Sequence, residues 1–457
     1  MSRAGIVAAL LTVVLTAGGC SFAPEYERPV MDLPQAWTDA GEHNLDVQWW
    51  RRFNDDTLNA LVEEALAHNL DLEQALARVD QARAQLGTAR SDLAPAPAAS
   101  ASAAHTLSGS DTRVNEYGAS LGVSSWELDL WGKYRNKAAS ARADLLSTEA
   151  ARDAVRLSVA GNTAKTYFQL RSAALQEQTA ERVLHTREEA HRIYVNRYQQ
   201  GLIDELSLLR DEAEVETARN TLYTARIARD SAASALAVLV GRSPADIMEG
   251  NMSAGDLDAA LPTAPVLPAG MPSDLLERRP DIRQAEESLK SANFNIGVAK
   301  ASYFPSLSLT GLLGLVSPEL NNLFSSDGRT WQGQAGLRLP LDPWRTRNTV
   351  AGAEALKREA VAAYEQTVQN AFKDMRDALT GQEQYALAVK SQERQVDVLS
   401  QAVVHARNRF NNGYSSYLDL LDAERSLFSA ELNFIATRAQ QLSSIVDVCL
   451  AMGGGWE

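Results

Sequence analysis

The sequence predicts a mainly α-helical protein carrying a membrane β-sheet, built as a duplicated unit of β-hairpin followed by long helices. Three observations carry this reading. The chain repeats itself, it holds Pro-free stretches far longer than an ordinary globular helix, and the segment before each of them switches from a helical hydrophobic period to a period of two.

The repeat is clearest at Arg197–Glu214 and Arg409–Ser426. Aligning Gly201 with Gly413 also aligns Leu206 with Leu418, Leu208 with Leu420, Leu209 with Leu421 and Glu212 with Glu424. Each copy is a Gly-containing break between helical stretches. Each therefore reads as the tip of a helical hairpin, where Gly ends one helix in a left-handed conformation and a polar residue caps the next. The same offset, within a few residues, pairs Gly87 and Pro95 with Gly297 and Pro305, and Asp129 and Trp131 with Asp342 and Trp344.

Taken in order, residues 1–19 read as a signal peptide. Arg3 is positive, Ile6–Leu15 is apolar, and Ala17, Gly18 and Gly19 are small residues before Cys20. This pattern resembles a bacterial lipobox, whose Cys carries lipid; Ala17 stands where Leu is more usual, and Ser21 in that resemblance favours the outer membrane. Residues 20–56 are Pro-rich at their start and read as an extended segment, held to the body by Trp49, Trp50 and Phe53. The first repeat, 57–243, opens with helices placing Leu58, Leu61, Val62, Leu72, Leu76, Val79 and Leu86 inward. Strands follow at about 96–108 and 117–130, where Tyr117, Ala119, Leu121 and Val123 alternate with Gly and Ser.

A helix from Lys133 to Tyr198 would be about 100 Å long at ~1.5 Å per residue. Leu146, Ala150, Ala154, Leu157, Ala160, Ala164 and Tyr167 give it one apolar seam, beside a second flank at Ala151, Val155 and Val159. Its hairpin tip falls at about 199–206. Residues 244–272 contain Pro244, Pro262, Pro265, Pro268 and Pro272 and read as a surface linker. The second repeat, 273–457, has strands at about 305–315 and 331–341, a tip at about 411–418 and a C-terminal helix. Cys449 is the one cysteine left beyond Cys20, and its spacing with Leu442, Ile445, Val446 and Leu450 reads as a buried small hydrophobe.

Function classes narrow accordingly. A net charge of −14 argues against nucleic-acid binding, which wants a basic face. The six His are scattered, and no zinc, nucleotide or nucleophile-elbow motif occurs, so neither an enzyme nor a metal or cofactor site is expected. Strands of about ten residues with apolar/polar alternation suit a membrane barrel. A bilayer admits only helices and closed barrels, and single-chain barrels begin at about eight strands. The segments read here are too few to close, so several chains must pool them. A barrel joined to so long a helical body is a conduit. The competing reading is a periplasmic coiled-coil adaptor or scaffold lipoprotein without a pore, although an adaptor usually carries one helical hairpin rather than two at a fixed offset.

Several segments carry a family resemblance over essentially the whole chain. They are Cys20–Tyr26, Arg279–Ile282, Gly297–Ser306, Tyr417–Leu427 and Gly453–Trp456. In these the chain resembles the outer-membrane factors of tripartite efflux pumps, TolC-like channel-tunnels, in the lipoprotein branch that includes CusC, OprM and NodT. The resemblance implies a homotrimer with a twelve-stranded β-barrel, four strands from each chain, joined to an α-helical periplasmic barrel. It implies a lipid-anchored protein of the bacterial outer membrane that serves as passive exit duct. Its partners would be a periplasmic adaptor (membrane fusion protein) and an inner-membrane pump of the resistance–nodulation–division type. Asp342-Pro343-Trp344 departs from the Gly usual in relatives at the exit from the last strand.

The resemblance also places a gate. Asp419 and Asp422 match the paired acids lining the periplasmic constriction of TolC-like channels, where three chains would make rings that attract cations. Residue chemistry offers another role: Ser416 and Asp419 have capping-box spacing, and Asp204 with Ser207 caps the other hairpin likewise. Phe410, Ser415 and Ser207 stand where TolC has a tyrosine, an arginine and an acid. The locks of that relative therefore do not transfer, and apolar packing around Phe410 and Tyr414 is expected to help hold the tip closed. Gly201 and Gly413 are expected to make the turns. Leu202, Ile203, Tyr414 and Ser415 are candidate adaptor contacts.

Overall fold

The computed structural model describes residues 21–32, 48–108, 112–250, 260–265 and 279–454. Cys20 and Trp456 lie outside them. Helices α1 (Asp56–His68) and α2 (Leu70–Ser91) precede strands β1 (Pro97–Ser108) and β2 (Thr112–Glu127). Helices α3 (Lys133–Gln199) and α4 (Glu205–Leu239) form the first hairpin, and the short α5 (Pro244–Glu249) follows. The second half repeats the order with α6 (Pro280–Ala301), β3 (Ser306–Ser317), β4 (Arg329–Arg338), α7 (Pro343–Asn411) and α8 (Tyr417–Ala451). At about 1.5 Å per residue, the 67 residues of α3 extend roughly 100 Å.

The chain divides into two compact units, each drawn from both halves of the repeat. One comprises the residues up to Asp32, Ala77–Ala150 and Ile282–Thr367; the other comprises Leu33–Leu76, Ala151–Asp281 and Val368–Glu457.

The first unit holds the sheet, an antiparallel meander in the order β1-β2-β3-β4. Its register sets Leu121 beside Leu313 and Leu313 beside Trp331, so these residues share one face with Leu309 and Leu337. That face is bare: Leu121 is 61% exposed, Leu313 70%, Trp331 78% and Leu337 73%. The other face carries Ser120, Gly122, Thr310, Gln332 and Gln334. A bulge between Val123 and Trp126 puts Ser125 at φ 55°, and the Ser125 amide donates to Thr310 Oγ1 at 3.0 Å. Strand β2 begins earlier than the alternation predicts, running through Asn115 and Glu116, and ends at Glu127. Asp129 then caps α3, accepting from the amides of Tyr134 (3.1 Å) and Arg135 (2.9 Å). Its repeat partner Asp342 does the same for α7, accepting from Arg345 N at 2.9 Å ahead of Pro343 at the first helical position. The departure from Gly in this strand exit is thus a helix start of another kind.

An N-terminal strap, residues 21–32, is threaded along the same unit. Ser21 Oγ donates to Asn136 Oδ1 (2.9 Å), Asn293 Nδ2 donates to Pro24 O (2.7 Å), and Tyr26 and Arg28 both donate to Glu286. Gly297 makes the passage possible: a Cβ there would lie 2.8 Å from Ala23 N and 2.5 Å from Asn136 Nδ2. Its repeat partner Gly87 has nothing within 4 Å. Burial works against the charged form of Glu286, yet the hydrogen bond from Arg28, then Lys290 nearby, holds its carboxyl below the usual range.

The second unit holds the larger core. A short 3-10 turn, Trp49–Phe53, inserts Trp49, Trp50 and Phe53 among Phe168 of α3, Leu236 of α4 and Leu442, Ile445 and Cys449 of α8. The extended reading of 20–56 therefore fails here. Apolar residues so close together bury better on one turn than on a strand that would point alternate ones outward. Burial pushes the Cys449 thiol up to about 12, which keeps it an inert hydrophobe. The linker expectation is corrected in part: Ser243 and Asp246 form a capping box that starts α5, and Leu261 is buried. Leu76 and Leu146, read as inward, are 47% and 40% exposed. A single chain leaves those helix faces uncovered. Among the described residues no helix is long and apolar enough to cross a membrane.

Two predictions follow from the strap. Gly87→Ala should stabilise the protein by about 0.5–1 kcal/mol, because Gly is a poor helix residue. Gly297→Ala should destabilise it by about 1–3 kcal/mol through overpacking. Thermal unfolding of detergent-extracted protein reads both, and equal shifts would refute the assignment. The Glu286 carboxyl is lowered in the folded state, so its contribution is complete above the ordinary carboxylate range and lost as pH falls through the lowered value. Hydrogen-exchange protection in 21–32, corrected for the intrinsic rate at each pH, should fall at acid pH in the wild type, and already at neutral pH in Glu286→Gln.

Candidate functional site

The two hairpin tips and the seam beside them all belong to the second unit. Each tip is made the same way. Gly201 stands at φ +72° and Gly413 at φ +75°. The next amide reaches back over the helix end, Leu202 N to Arg197 O at 2.9 Å and Tyr414 N to Arg409 O at 2.8 Å. A Cβ at either glycine would meet nothing within 4 Å, so the left-handed backbone is what requires glycine. The following helices are capped differently. Asp204 accepts from Ser207 N at 2.7 Å, and its hydrogen bonds from Ser207 hold the exposed carboxyl below its ordinary value. Ser416 and Asp419 form the reciprocal box, Ser416 N donating to Asp419 Oδ2 at 3.1 Å and Asp419 N to Ser416 Oγ at 3.4 Å.

Asp419 is therefore a cap within its own chain, and it stays exposed, as does Asp422. Leu202 (67%) and Tyr414 (77%) are open to solvent, together with Leu206, Leu209 and Leu418; Ile203 and Ser415 are half-buried. Phe410 does not pack on Tyr414 in this chain. Its aromatic neighbour is Tyr417, with ring centroids 5.7 Å apart, and Tyr417 in turn lies 4.3 Å from Tyr194.

Behind these rings sits a cluster that spacing did not reveal. Asp211 of α4 has a side chain 0% exposed, and two donors satisfy it: the Tyr417 hydroxyl on Oδ1 at 2.7 Å and His191 Nδ1 on Oδ2 at 2.8 Å. Burial, then the hydrogen bond to Asp211, pushes the Tyr417 phenol well above its ordinary value, which keeps it a donor. Beyond this, Glu424 takes one guanidinium on each oxygen, Arg187 and Arg407, both at 2.8 Å. Arg182 meets Glu431 at 2.9 Å, and Arg425 pairs with Glu214. The His191–Asp211 contact ties α3 to α4 within one hairpin, and Arg407–Glu424 ties α7 to α8. The Tyr417–Asp211, Arg187–Glu424, Arg182–Glu431 and Arg425–Glu214 contacts join the α3/α4 hairpin to α8.

The repeat could have pointed here, with an error of one position. It pairs Glu424 with Glu212, yet Glu212 is exposed and its neighbour Asp211 carries the buried contact. One residue on a helix turns the side chain by about 100°. The arrangement holds no nucleophile beside a base. Among the described residues, no His, Cys, Asp and Glu group is arranged to hold a metal. Its chemistry is that of a latch between two hairpins.

Known proteins supply the context. The family model for outer membrane efflux proteins matches residues 61–242 and 271–454, two blocks that follow the internal repeat. A probable efflux pump outer membrane protein of Pseudomonas putida, TtgC, is 33% identical over 470 residues, covering 98% of this chain and 96% of that one. The cation efflux system protein CusC of Escherichia coli is 31% identical over 453 residues, covering 97% and 98%. The crystal structure of the Campylobacter jejuni CmeC outer membrane channel matches with a TM-score of 0.89 at 30% identity, covering 96% of each chain. A bare apolar sheet face, a duplicated pair of long helical hairpins and these likenesses have one meaning: the chain belongs to the outer membrane efflux protein family.

Proposed function

We propose that three copies of this chain form the passive exit duct of a tripartite efflux system, gated at the hairpin tips. The observation that carries the reading is the sheet of the first unit. It has ten to sixteen residues per strand, enough to span a bilayer, an apolar face with no cover, and two unpaired edges, β1 and β4. Pairing β1 of one copy with β4 of the next satisfies both edges, and three copies give a twelve-stranded barrel. A scaffold without a pore would leave this face in water. The energy for export belongs to a partner pump of the inner membrane, reached through a periplasmic adaptor. The bare Leu202, Leu206, Leu209 and Tyr414 at the tips are the surface such an adaptor would cover. We infer that Cys20, outside the described residues, is the acylation site, since small residues precede it.

The closed state rests on the Tyr417–Asp211–His191 contact, with Phe410 packed on Tyr417. Asp419 and Asp422 face solvent at the same end, and threefold symmetry would gather them into two acidic rings.

Two measurements in planar bilayers test this. Tyr417→Phe removes a hydrogen bond to a buried carboxylate, about 1.5–3 kcal/mol of closed-state stabilisation, which is about a tenfold or larger shift toward the conducting form. Single-channel conductance should rise in Tyr417→Phe and Phe410→Ala. It should stay near wild type in Arg425→Ala, whose exposed ion pair is worth about 0–1 kcal/mol. No conductance in any variant, or a folded monomer on cross-linking, would overturn the duct. Asp422→Asn should weaken cation preference and block by multivalent cations, leaving the trimer intact; unchanged selectivity would remove the ring.

A further inference from the structure

We propose that a groove on the apolar face of the sheet, near the foot of β3, seats an acyl chain carried by Cys20. The groove measures about 510 Å³ and is lined mainly by Val123, Trp126, Leu309, Gly311, Gly333 and Ala335, with Pro95 at its end and atoms of the polar residues Thr310 and Gln334 also reaching it. That is within the ~300–1,000 Å³ range of ligand-sized clefts. Gly311 and Gly333 are register partners between Leu309 and Leu313 on one strand and Trp331 and Ala335 on the other. A row of large apolar side chains is interrupted there on both strands at once.

Nothing inside the chain calls for those glycines. Neither has a positive φ, and a Cβ at Gly311 would meet nothing within 4 Å, one at Gly333 only the tip of the Trp331 ring at 3.4 Å. Glycine weakens a strand interior and marks either a bend or the close approach of something else. Pairing between β3 and β4 runs through both positions without a register shift. On its other edge Gly311 meets Val123 where the β2 bulge begins, so a bend bears on Gly311 while Gly333 is left to the close approach.

The strap says what approaches. Ser21 is fixed to Asn136, Ala23 is seated against Gly297, and Pro24 is held by Asn293. Phe22 stacks on Phe304 with centroids 4.5 Å apart and planes 8° from parallel, and Trp131 stacks on the same ring at 4.8 Å. Phe304 precedes β3 by one residue. The chain is thus clamped directly after Cys20, at the end of the strand that forms the groove. Leu309 lies five residues beyond Phe304, about 16 Å at ~3.3 Å per residue. One acyl layer is about half of a ~30 Å hydrocarbon core, which is the same distance. The clamp gives the lipid a fixed origin, and the glycine pair gives it a track.

This inference rests on acylation of Cys20, and the test separates the two. Cells fed a diazirine-bearing fatty acid incorporate it into the full-length protein; membranes are irradiated, and the trimer is purified and digested. The mass of the mature N-terminal peptide reports acylation by itself. The expected result is an acylated peptide cross-linked to segments 123–126, 309–311 or 333–335. The doubly filled variant Gly311→Ala/Gly333→Val should keep the acyl mass, the trimer and the conductance and lose those cross-links. An unacylated N-terminus overturns both readings. An acylated N-terminus whose cross-links scatter over Leu121, Leu313 and Leu337, or persist in the filled variant, overturns the groove alone. So does a groove labelled only by free phospholipid.

Discussion

A backbone amide or carbonyl left unpaired in hydrocarbon costs several kcal/mol, and the sheet of this chain presents two full edges of them. Strand β1 offers a row of groups on one side and β4 on the other, with no side chain able to satisfy them. That deficit orders much of what else the structure contains. One face of the sheet is rich in Leu and Trp, as suits lipid, and the opposite face is mostly Ser, Gly, Thr and Gln with Leu312 and Val316 among them. In the proposed duct the closure comes from identical copies. Helix faces bearing Leu76 and Leu146 are also uncovered in the single chain, which fits the proposed assembly of copies.

Duplication supplied the parts, and divergence shows which parts carry more than fold. The turn glycines Gly201 and Gly413 do the same work in both halves, as do the capping Asp129 and Asp342. Gly87 and Gly297 do not. The first faces open space, and the second lets the N-terminal strap through. Trp131 and Trp344 likewise part company: one donates its indole N–H to Pro305 O at 2.7 Å, and the other is 74% exposed. A repeat therefore fixes local backbone more securely than it fixes contacts.

Legibility followed the same division. Patterns that depend on near neighbours were plain in the residues: the long helices, the alternating strands, the tips at Gly201 and Gly413, the burial of Cys449, and the capping box at Ser416 and Asp419. What depends on distant parts of the chain was not. Tyr414 is nearer Phe410 in sequence than Tyr417 is, yet Tyr417, packed against Tyr194 of α3, is the ring that meets Phe410. The start of β2 runs through Asn115 and Glu116, whose side chains say loop while the ladder from β1 says strand. The turn at Trp49–Phe53 gathers its aromatic residues on a core supplied by α3, α4 and α8, none of which is adjacent in sequence. The capping box of Ser243 and Asp246 sits at the head of a Pro-rich stretch that reads as linker, and the structure is what reveals it.

If the tips gate a duct as proposed, the seam between the hairpins has to be stable when alone and weak enough to open. A buried carboxylate stripped of one donor and kept dry costs more than the roughly 1–3 kcal/mol of a neutral group, whereas the same hydrogen bond exchanged for water costs about 1.5–3 kcal/mol net. Asp211 can therefore hold Tyr417 firmly against small displacements, yet release it once the hairpins part far enough to admit water, while His191, on the same hairpin, stays with the carboxylate. The ion pairs along the seam add little where they are exposed, as at Arg425. Covering apolar surface returns about 25 cal/mol per Å². A partner that buries even part of Leu202, Leu206, Leu209 and Tyr414 as it docks thus gains energy comparable to what the latch withholds. Opening then needs no energy source within this chain, only a partner that binds the parted tips better than the closed ones.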